Sequence, residues 1–296
     1  MVALLIRLAT WLTRVLPLGV QLWLADAIAG IGWRVLPGMH GRVRENVRHI
    51  LGWDESQEQV EAVARQQWRN YVRYMRDFAA LPHSGTAEME RIFGAIRGWE
   101  HIEQAMSRGR GLVLASAHFG NWDLAAGTMA QRYPVNVIAD TFSSSRVDEA
   151  INERRLALGL KVIPLDKAPR RTASALRRGE AVAFLIDKPL PGDDGVEVEL
   201  FGEPVRIPAG AGYFAARVGA PLIVAFVWRN PDRSFAAKVL PPVEPLKDVQ
   251  ATMQRLTDLI GQQIAEHPEH WYMFRRMWSP RRQSSVVSSE MEEAVA

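Results

Sequence analysis

Two side chains in this sequence have the types and the spacing for proton transfer, His118 and Asp123. An imidazole whose Nδ1 is bonded to a carboxylate keeps Nε2 unprotonated and able to accept a proton. We therefore expect Asp123 to reach back to Nδ1 of His118 and to leave His118 as a general base. A histidine and an aspartate at this spacing occur frequently by chance. From these two residues alone, the alternative to a catalytic pair is a structural histidine that donates a hydrogen bond to a backbone carbonyl.

The residues around the pair predict the elements that position it. Leu112–Ala115 is an apolar strand, Gly120 permits a turn, and a helix follows over Asp123–Gln131. In an open α/β sheet, ligands bind beyond the carboxyl ends of the strands, which is where His118 would lie. Asp123 then falls in the first turn of the helix, where the helix dipole favours a carboxylate.

Beyond residue 98, short apolar runs alternate with helical stretches. This alternation predicts an α/β domain with a largely parallel sheet flanked by helices. The predicted strands are Leu112–Ala115, Val135–Ala139, Val162–Leu165, Ala181–Ile186, Val196–Phe201 and Leu222–Trp228. The predicted helices are Asp123–Gln131, Asp148–Leu158, Arg171–Arg178, Ala209–Val218 and Gln250–Glu266.

Composition excludes several classes of protein. The chain has 296 residues, 48% hydrophobic and 23% charged, which is ordinary globular usage with enough apolar material for a substantial core. It has no cysteine, which excludes disulfides, thiolate zinc sites, iron–sulfur clusters and a cysteine acyl-enzyme. A net charge of +3 gives no reason to expect a nucleic-acid partner.

The N-terminal segment, residues 1–37, is rich in Leu, Val, Ile and Trp and predicts a membrane-associating helix. Arg7 and Arg14 share one helical face, which favours a helix lying in the membrane interface and kinked at Pro17. The side chains suited to headgroup depth are Trp11, Trp23 and Trp33. The alternatives are a helix buried against its own domain and a single spanning helix.

The rest of the chain is predicted to form one domain and a C-terminal tail. Residues 38–282 are predicted to form a single α/β domain whose first part, residues 38–95, is helical. Residues 283–296 are Ser-rich and acidic, so we expect them to be disordered.

The run His-Phe-Gly-Asn-Trp-Asp, from His118 to Asp123, resembles the His-x4-Asp/Glu signature of the glycerolipid and lysophospholipid acyltransferase superfamily. It is more closely similar to the branch of the late lipid A acyltransferases (lauroyl and myristoyl transferases) and the phosphatidylinositol mannoside acyltransferases. The resemblance extends from about Asn46 to Trp278. Further segments that resemble this branch include one that begins at Arg155 and two consecutive ones that end at Glu180 and at Asp187. Two more run from Gly195 to Pro204 and from His267 to Arg275.

Some departures from the family patterns narrow the resemblance. The chain lacks the Pro-Glu-Gly-Thr-Arg block of glycerol-phosphate acyltransferases, which argues against the ordinary phosphatidic acid route. Asp rather than Glu at 123, and the run Arg206-Ile-Pro-Ala-Gly, are closer to the mannoside-type sequences. Those enzymes carry an acid-basic-acid run where this chain has Asp187-Lys-Pro, so the second acid of that run is missing.

The resemblance implies direct attack of a lipid hydroxyl on an acyl thioester, with His118 as base and Asp123 as its partner. It implies Asp187 as a second acid near His118. The substrate-binding residues that it implies are Asp140, Arg155 and Arg206. Asp140 and Arg155 could instead be a structural ion pair, and Arg206 a surface cation. We expect no acyl-enzyme, because the chain has neither a cysteine nor a Gly-x-Ser-x-Gly elbow.

The same resemblance implies acyl-CoA or acyl carrier protein as donor co-substrate, with no cofactor and no metal. It implies a phospholipid or glycolipid acceptor and a peripheral or single-anchor position at the cytoplasmic face of the inner (plasma) membrane. Lipid A, mannoside-type and lysophospholipid acyl transfer remain open. Outside the class, the alternatives are a non-catalytic membrane-binding protein and a metal-dependent hydrolase, which would need more ligands than His118 and Asp123.

Overall fold

The computed structural model describes residues 2–80, 96–139, 145–189 and 194–278, which form an α/β fold. The helices are α1 Val2–Val15, α2 Leu18–Val35, α3 Pro37–Leu51, α4 Gln57–Ala80, α5 Trp99–Ser107, α6 Trp122–Ala130, α7 Ser145–Ala157, α8 Ala168–Arg177, α9 Gly210–Val218 and α10 Val249–Glu266. The strands are β1 Leu112–Ser116, β2 Val135–Ala139, β3 Lys161–Pro164, β4 Ala181–Leu185, β5 Val196–Leu200, β6 Glu203–Ile207, β7 Leu222–Arg229 and β8 Phe235–Val239. The predicted fold class is therefore confirmed, while the expected tail, residues 283–296, lies outside the described residues.

The central sheet has the strand order β3-β2-β4-β1-β7-β8 and is parallel except for β8, which runs antiparallel to β7. Its middle strands read as apolar runs because helices cover both of their faces. Ser116 at the end of β1 lies opposite Leu185 at the end of β4. This register places His118 and Asp187, each two residues beyond its strand, side by side at the same edge of the sheet.

The run Val196–Phe201 does not join the central sheet, contrary to the simplest interpretation of the alternation. It forms β5, which pairs antiparallel with the unpredicted β6 in a two-stranded sheet that packs on α10. Phe201 and Gly202 both have positive φ, 54° and 77°, as a tight two-residue hairpin turn requires. A local turn therefore pairs the predicted run Val196–Phe201 with the segment that directly follows it in the chain. Strand β8 was also missed.

The N-terminal segment is two helices rather than one kinked helix. Pro17 lies between α1 and α2, with an extended ψ of 147°, and its ring and missing N–H end one helix and allow the next to begin. Helix α2 packs along α4, and Asp26 accepts two hydrogen bonds of 2.7 Å from Arg73. Trp33 is buried, and its indole N–H donates to Glu61 at 3.2 Å. The expectation that Trp33 lies at headgroup depth is therefore wrong.

The outer surface of the same two helices remains apolar and exposed. Trp11 is 57% exposed and Trp23 is 67% exposed. Other large apolar side chains exposed there are Leu8, Val15, Leu18, Val20, Ile28, Ile31, Val35 and Leu36. Within the described part of the chain, no helix is both long enough and apolar enough to cross a membrane.

The helical N-terminal part holds the C-terminal segment, residues 267–278, through amide side chains. Asn46 on α3 is buried and donates to the carbonyls of Met273 and Arg275 at 2.9 and 2.7 Å, while it accepts from the Met277 N–H at 3.2 Å. Asn70 on α4 donates to the Glu269 carbonyl at 3.0 Å. Because one buried amide satisfies three backbone groups, Asn46 fixes the path of this segment.

We predict that Asn46→Ala lowers the free energy of unfolding by about 2–4 kcal/mol, because it leaves buried backbone groups without partners. Asn152→Ala is the matched control, since Asn152 is half-buried on α7 and its side chain makes no hydrogen bond to the described residues. Chemical denaturation followed by circular dichroism measures both variants. Equal stability of the two variants would contradict the role given to Asn46.

Candidate active site

His118 is held by Asp187, not by Asp123. Nδ1 of His118 lies 2.8 Å from Oδ1 of Asp187, and the backbone N–H of His118 donates to Oδ2 of Asp187 at 2.9 Å. A nitrogen bonded to a carboxylate carries the proton, so Nε2 is left as the unprotonated position. Nε2 makes no hydrogen bond within the described residues, and the His118 side chain is 31% exposed. The ring is therefore oriented and open to a proton donor.

Asp123 makes different contacts from those predicted. Its Oδ1 accepts a hydrogen bond of 3.0 Å from Nε of Arg155, and its Oδ2 accepts one of 2.7 Å from the Tyr74 hydroxyl. No hydrogen bond joins Asp123 to His118 among the described residues. The reason is geometric: Asp123 lies in the first turn of α6 and turns toward α4 and α7, whereas the register of β1 and β4 brings Asp187 to the imidazole.

Asp187 is almost completely buried, yet it is arranged to stay ionised. Burial by itself would raise the pKa of Asp187, but attraction to His118 and hydrogen bonds from His118 and Trp271 bring the pKa below its usual value. The indole N–H of Trp271 donates to Oδ2 at 2.8 Å, and Trp271 is fully buried. The carboxylate therefore accepts from a ring nitrogen, a backbone N–H and an indole N–H, which together fix its position.

The loop that carries His118 is clamped by backbone hydrogen bonds. Tyr272 N–H donates to the His118 carbonyl, and Gly120 N–H donates to the His270 carbonyl, both at 2.8 Å. Gly120 has φ +58°, and a Cβ there would lie 1.8 Å from the Val227 carbonyl oxygen. A side chain at 120 would push the loop away from β7, so glycine is required by close approach as well as by its φ.

A buried ionic network supports the start of α6 behind this loop. Asn121 caps the helix by accepting from Leu124 N–H at 3.0 Å, and its amide nitrogen lies 3.5 Å from Oδ2 of Asp77. Asp77 also accepts hydrogen bonds from Arg229 and Arg76. The nearby His270 is not a second base, because burial and the neighbouring His267 lower the pKa of His270 to about 3.

Ser116 has a structural role at the end of β1. Its hydroxyl donates to the carbonyl of Ala225 at 2.8 Å, which ties β1 to β7 where the ladder ends. It has no general base among its partners, so the geometry does not activate it as a nucleophile.

An apolar cavity lies between the central sheet and helices α5 and α6, and we name it the sheet cavity. Its volume is about 100 Å³. Its ionic lining residues are Asp123 and Arg155, and the remainder of its wall is mostly apolar side chains of the sheet, α5 and α6. Trp122 also lines it, and the Trp122 ring lies edge-on to the His118 ring with 5.4 Å between centroids. The cavity is thus linked to His118 through the Trp122 ring, although His118 itself does not line it.

The structure brings some of the predicted site residues together and separates others. His118 and Asp187 are in contact, and Asp123 and Arg155 form an ion pair beside them. Arg206 lies on β6 opposite Glu197 and is not among the residues that line the sheet cavity. Asp140 lies outside the described residues, so its pairing with Arg155 stays a prediction.

Tyr74 and Trp271 were missed as site residues. No local sequence pattern marks Tyr74, yet burial and the charge of Asp123 raise the pKa of Tyr74 well above its usual value, which keeps its hydroxyl a donor. Trp271 lies in the His267–Arg275 block of the resemblance, which was the available signal.

In the described ranges, no group of three or more His, Asp or Glu side chains is arranged to hold a metal ion.

The sequence is similar to one protein family and to several proteins of known function. Residues 2–279 match the family described as bacterial lipid A biosynthesis acyltransferase. Over 247 residues the chain is 30% identical to the phosphatidylinositol mannoside acyltransferase of Mycobacterium tuberculosis, covering 80% of this chain and 76% of that protein. Identity to the Mycolicibacterium smegmatis protein of the same name is 29% over 263 residues, 86% of this chain and 85% of that protein.

A more distant match links the chain to lipid A enzymes. It is 24% identical over 188 residues to the lipid A biosynthesis lauroyltransferase of Escherichia coli, covering 62% of this chain and 61% of that protein. The matches confirm the superfamily and the two branches that the His118–Asp123 motif indicates.

We predict that Asp187→Asn slows turnover by roughly 10²–10⁴-fold, because the amide cannot stabilise imidazolium and can favour the wrong tautomer. Asp123→Asn should act mainly on stability, since it leaves Arg155 without its carboxylate and costs about 3 kcal/mol of unfolding free energy. Initial rates at saturating donor, with thermal unfolding of each variant, separate the two effects. A larger loss of turnover in Asp187→Asn than in Asp123→Asn would reverse the expectation from sequence that Asp123 is the partner of His118.

The control is the proton NMR signal of the His118 Nδ1–H. It should persist in Asp123→Asn and be lost or shifted in Asp187→Asn. A folded Asp123→Asn protein slower than Asp187→Asn would return Asp123 to the role of orienting carboxylate.

Proposed function

Because the chain belongs to the bacterial lipid A biosynthesis acyltransferase family, and is thus an acyltransferase, we propose that it moves a fatty acyl chain from a thioester to a glycolipid hydroxyl. The observation that carries the reaction is the His118–Asp187 pair at the carboxyl ends of β1 and β4, beside an apolar cavity. The donor is acyl-CoA or an acyl carrier protein thioester. Neither needs a cofactor or a metal.

The reaction proceeds by direct attack. Nε2 of His118 removes the hydroxyl proton of the acceptor as its oxygen attacks the thioester carbonyl carbon. Asp187 stabilises the imidazolium that forms, because it is ionised, buried and bonded to Nδ1. The tetrahedral intermediate then expels the thiolate as the carbon–sulfur bond breaks, and the imidazolium returns its proton to the sulfur. The products are the ester and the free thiol.

The sheet cavity is the proposed place for the acyl chain of the donor. Its wall is apolar, and the ionic residues on its lining, Asp123 and Arg155, neutralise each other. Its volume of about 100 Å³ suits the part of the chain next to the thioester rather than a whole long chain. Trp122 lines the cavity and its ring lies 5.4 Å from the His118 ring, so the carbonyl carbon of a chain held there is proposed to lie near His118.

Arg155 is proposed to contribute a positive charge to the wall of the sheet cavity. Burial would lower the pKa of Arg155, but Asp123 raises it, so the guanidinium stays charged at the cavity wall. Asp123 therefore serves as the counter-ion that allows a cation to remain here. Arg206 remains a candidate for a phosphate of the donor or of the lipid, supported only by its charge and by the family resemblance.

A phosphatidylinositol mannoside or a related glycolipid is the proposed acceptor. The mannoside enzymes match 80–86% of this chain, whereas the lauroyltransferase matches 62% of it at lower identity. The Asp at 123 and the Arg206-Ile-Pro-Ala-Gly run favour the same branch. A lipid A acceptor is the second candidate, supported by the family match and by the lauroyltransferase relative.

The exposed apolar surface of α1 and α2 is the proposed site of peripheral attachment to the cytoplasmic face of the membrane. Trp11 and Trp23 protrude there among exposed aliphatic side chains. Tryptophan favours the depth of lipid headgroups, and aliphatic side chains enter the acyl boundary. Such attachment brings a lipid hydroxyl within reach of the site without a spanning helix.

The proposed function is tested by lipid mass spectrometry of a host with the gene, without it, and with His118→Ala. We expect a glycolipid to lose one acyl chain when the gene is absent, and His118→Ala to reproduce that loss while the protein stays folded by circular dichroism. Purified protein given acyl-CoA and acyl carrier protein thioester in parallel identifies the donor. An unchanged glycolipid profile, or normal turnover by folded His118→Ala, would contradict the proposal.

We also predict that no covalent acyl-enzyme forms. Ser116→Ala should retain near-native turnover, because the Ser116 hydroxyl only caps the end of β1. Protein incubated with radiolabelled donor alone and then denatured should carry no label. Stable label on the wild-type chain that disappears in Ser116→Ala would replace direct attack by a two-step mechanism.

Attachment to the membrane is tested with point variants, because removing α2 would expose α4. Trp23→Ser combined with Ile31→Ser should weaken binding to anionic vesicles by at least about tenfold, as the loss of two large apolar groups requires. Tyr213→Ser, which removes an exposed aromatic side chain from α9, is the matched control. Vesicle sedimentation measures both. Unchanged binding by the double variant would show that this surface is not the attachment site.

A further inference from the structure

A second and larger cavity lies among helices α1, α2, α4 and α7, and we name it the N-terminal cavity. Its volume is about 470 Å³, several times that of the sheet cavity. Its wall is formed mainly by apolar side chains, among them Leu12, Leu24, Val72, Met75 and Ile151. An apolar cavity of about 150 Å³ stays dry and takes up small hydrocarbons, so a cavity of this size and lining favours an apolar occupant.

The cavity opens on the exposed apolar surface of the N-terminal helices. Leu8 on α1 and Ile28 on α2 line it, yet they are 49% and 59% exposed. They therefore stand at its mouth, on the surface that also presents Trp11 and Trp23. A hydrocarbon chain that leaves a bilayer at this surface meets a continuous apolar path into the protein.

The charge at the cavity wall is positive. Arg76 and Arg154 line it, and no carboxylate does among the described residues. Arg76 shares its carboxylate partner, Asp77, with Arg229, so two guanidinium groups are balanced by one negative charge. Two cationic side chains on the wall of an apolar cavity match a molecule with a hydrocarbon chain and an anionic headgroup.

The N-terminal cavity is separate from the catalytic site although the same helices build both. On α4, Tyr74 contacts Asp123, whereas the neighbouring Met75 and Arg76 line the N-terminal cavity. On α7, Arg155 lines the sheet cavity and Arg154 lines the N-terminal cavity. Occupation of one cavity therefore leaves room for a chain in the other.

We propose that the N-terminal cavity binds one acyl chain of an anionic phospholipid of the bilayer, at a site distinct from the donor chain. The proposal rests on the proposed membrane attachment for the source of the lipid, but not on acyl transfer. A lipid held in this way fixes the protein on the bilayer with α1 and α2 facing the lipid. It also holds α4 and α7, which carry Tyr74 and Arg155.

The test uses a monomeric lysophosphatidylglycerol with a diazirine in its acyl chain, photolysed with the full-length protein below the micelle concentration. We expect adducts on cavity residues such as Leu12 and Met75, located by peptide mass spectrometry. Ala25→Leu, which fills the cavity from its buried wall, should reduce this labelling by about tenfold, whereas Ala27→Leu, beside it but outside the lining, should not. Ala9→Leu repeats the test from a half-buried position if Ala25→Leu fails to fold.

Two further arms separate this site from catalysis and from other occupants. His118→Ala should be labelled as the wild type is, so the proposal stands even if no transfer activity is found. The lysophosphatidylcholine probe with the same chain should label more weakly, because its headgroup has no net charge. Equal labelling of Ala25→Leu and wild type, adducts confined to exposed side chains, or preferential labelling of the cavity by a diazirine acyl-CoA would each overturn the proposal.

Discussion

The structure around the site depends on one buried carboxylate. A charged group without solvent is costly unless hydrogen bonds replace the lost water, and Asp187 receives these bonds from His118 and Trp271. Each donor fixes a different part of the molecule: the loop after β1, the ring of the base, and the C-terminal segment. Displacing any of them would leave the carboxylate partly unsatisfied, so the charge that we propose to stabilise imidazolium also holds the loop, the ring and the segment in place.

The ion pair of Asp123 and Arg155 is a second case of compensated buried charge, at the wall of the sheet cavity. The acyl site that we propose must be apolar, yet the proposed reaction develops negative charge at the thioester oxygen. Arg155 keeps a positive charge there because Asp123, which also accepts a hydrogen bond from the Tyr74 hydroxyl, is its counter-ion. The second residue of the His-x4-Asp signature is thus tied to the architecture of the pocket, while a carboxylate from a different strand orients the histidine.

Much of the fold could be predicted from the sequence, because buried parallel strands are short apolar runs and β1, β2, β4 and β7 have clear boundaries. Strands β6 and β8 were missed because neither is a continuous apolar run: a proline and two charged residues interrupt Glu203–Ile207, and a lysine interrupts Phe235–Val239. In the site, residue types indicated His118, Asp123 and Asp187, but not their pairing. The pairing follows from the register Ser116 opposite Leu185, which no local pattern encodes. Tyr74 and Trp271 act through contacts distant in sequence, so no local pattern marks them as site residues.

The C-terminal segment has a consequence for the order of events as the chain is made. Asn46, Gln67 and Asn70 bind backbone groups that follow them by about 200 residues or more, and these groups belong to the stretch that supplies Trp271. Contacts so far apart in sequence form late, since they must wait for the intervening chain. On a ribosome, the side-chain amides of the helices would therefore lack their hydrogen-bond partners until the last part of the domain emerged. Asp187 would likewise lack the hydrogen bond from Trp271. A nascent chain that already possessed both strands of the site would still be catalytically immature.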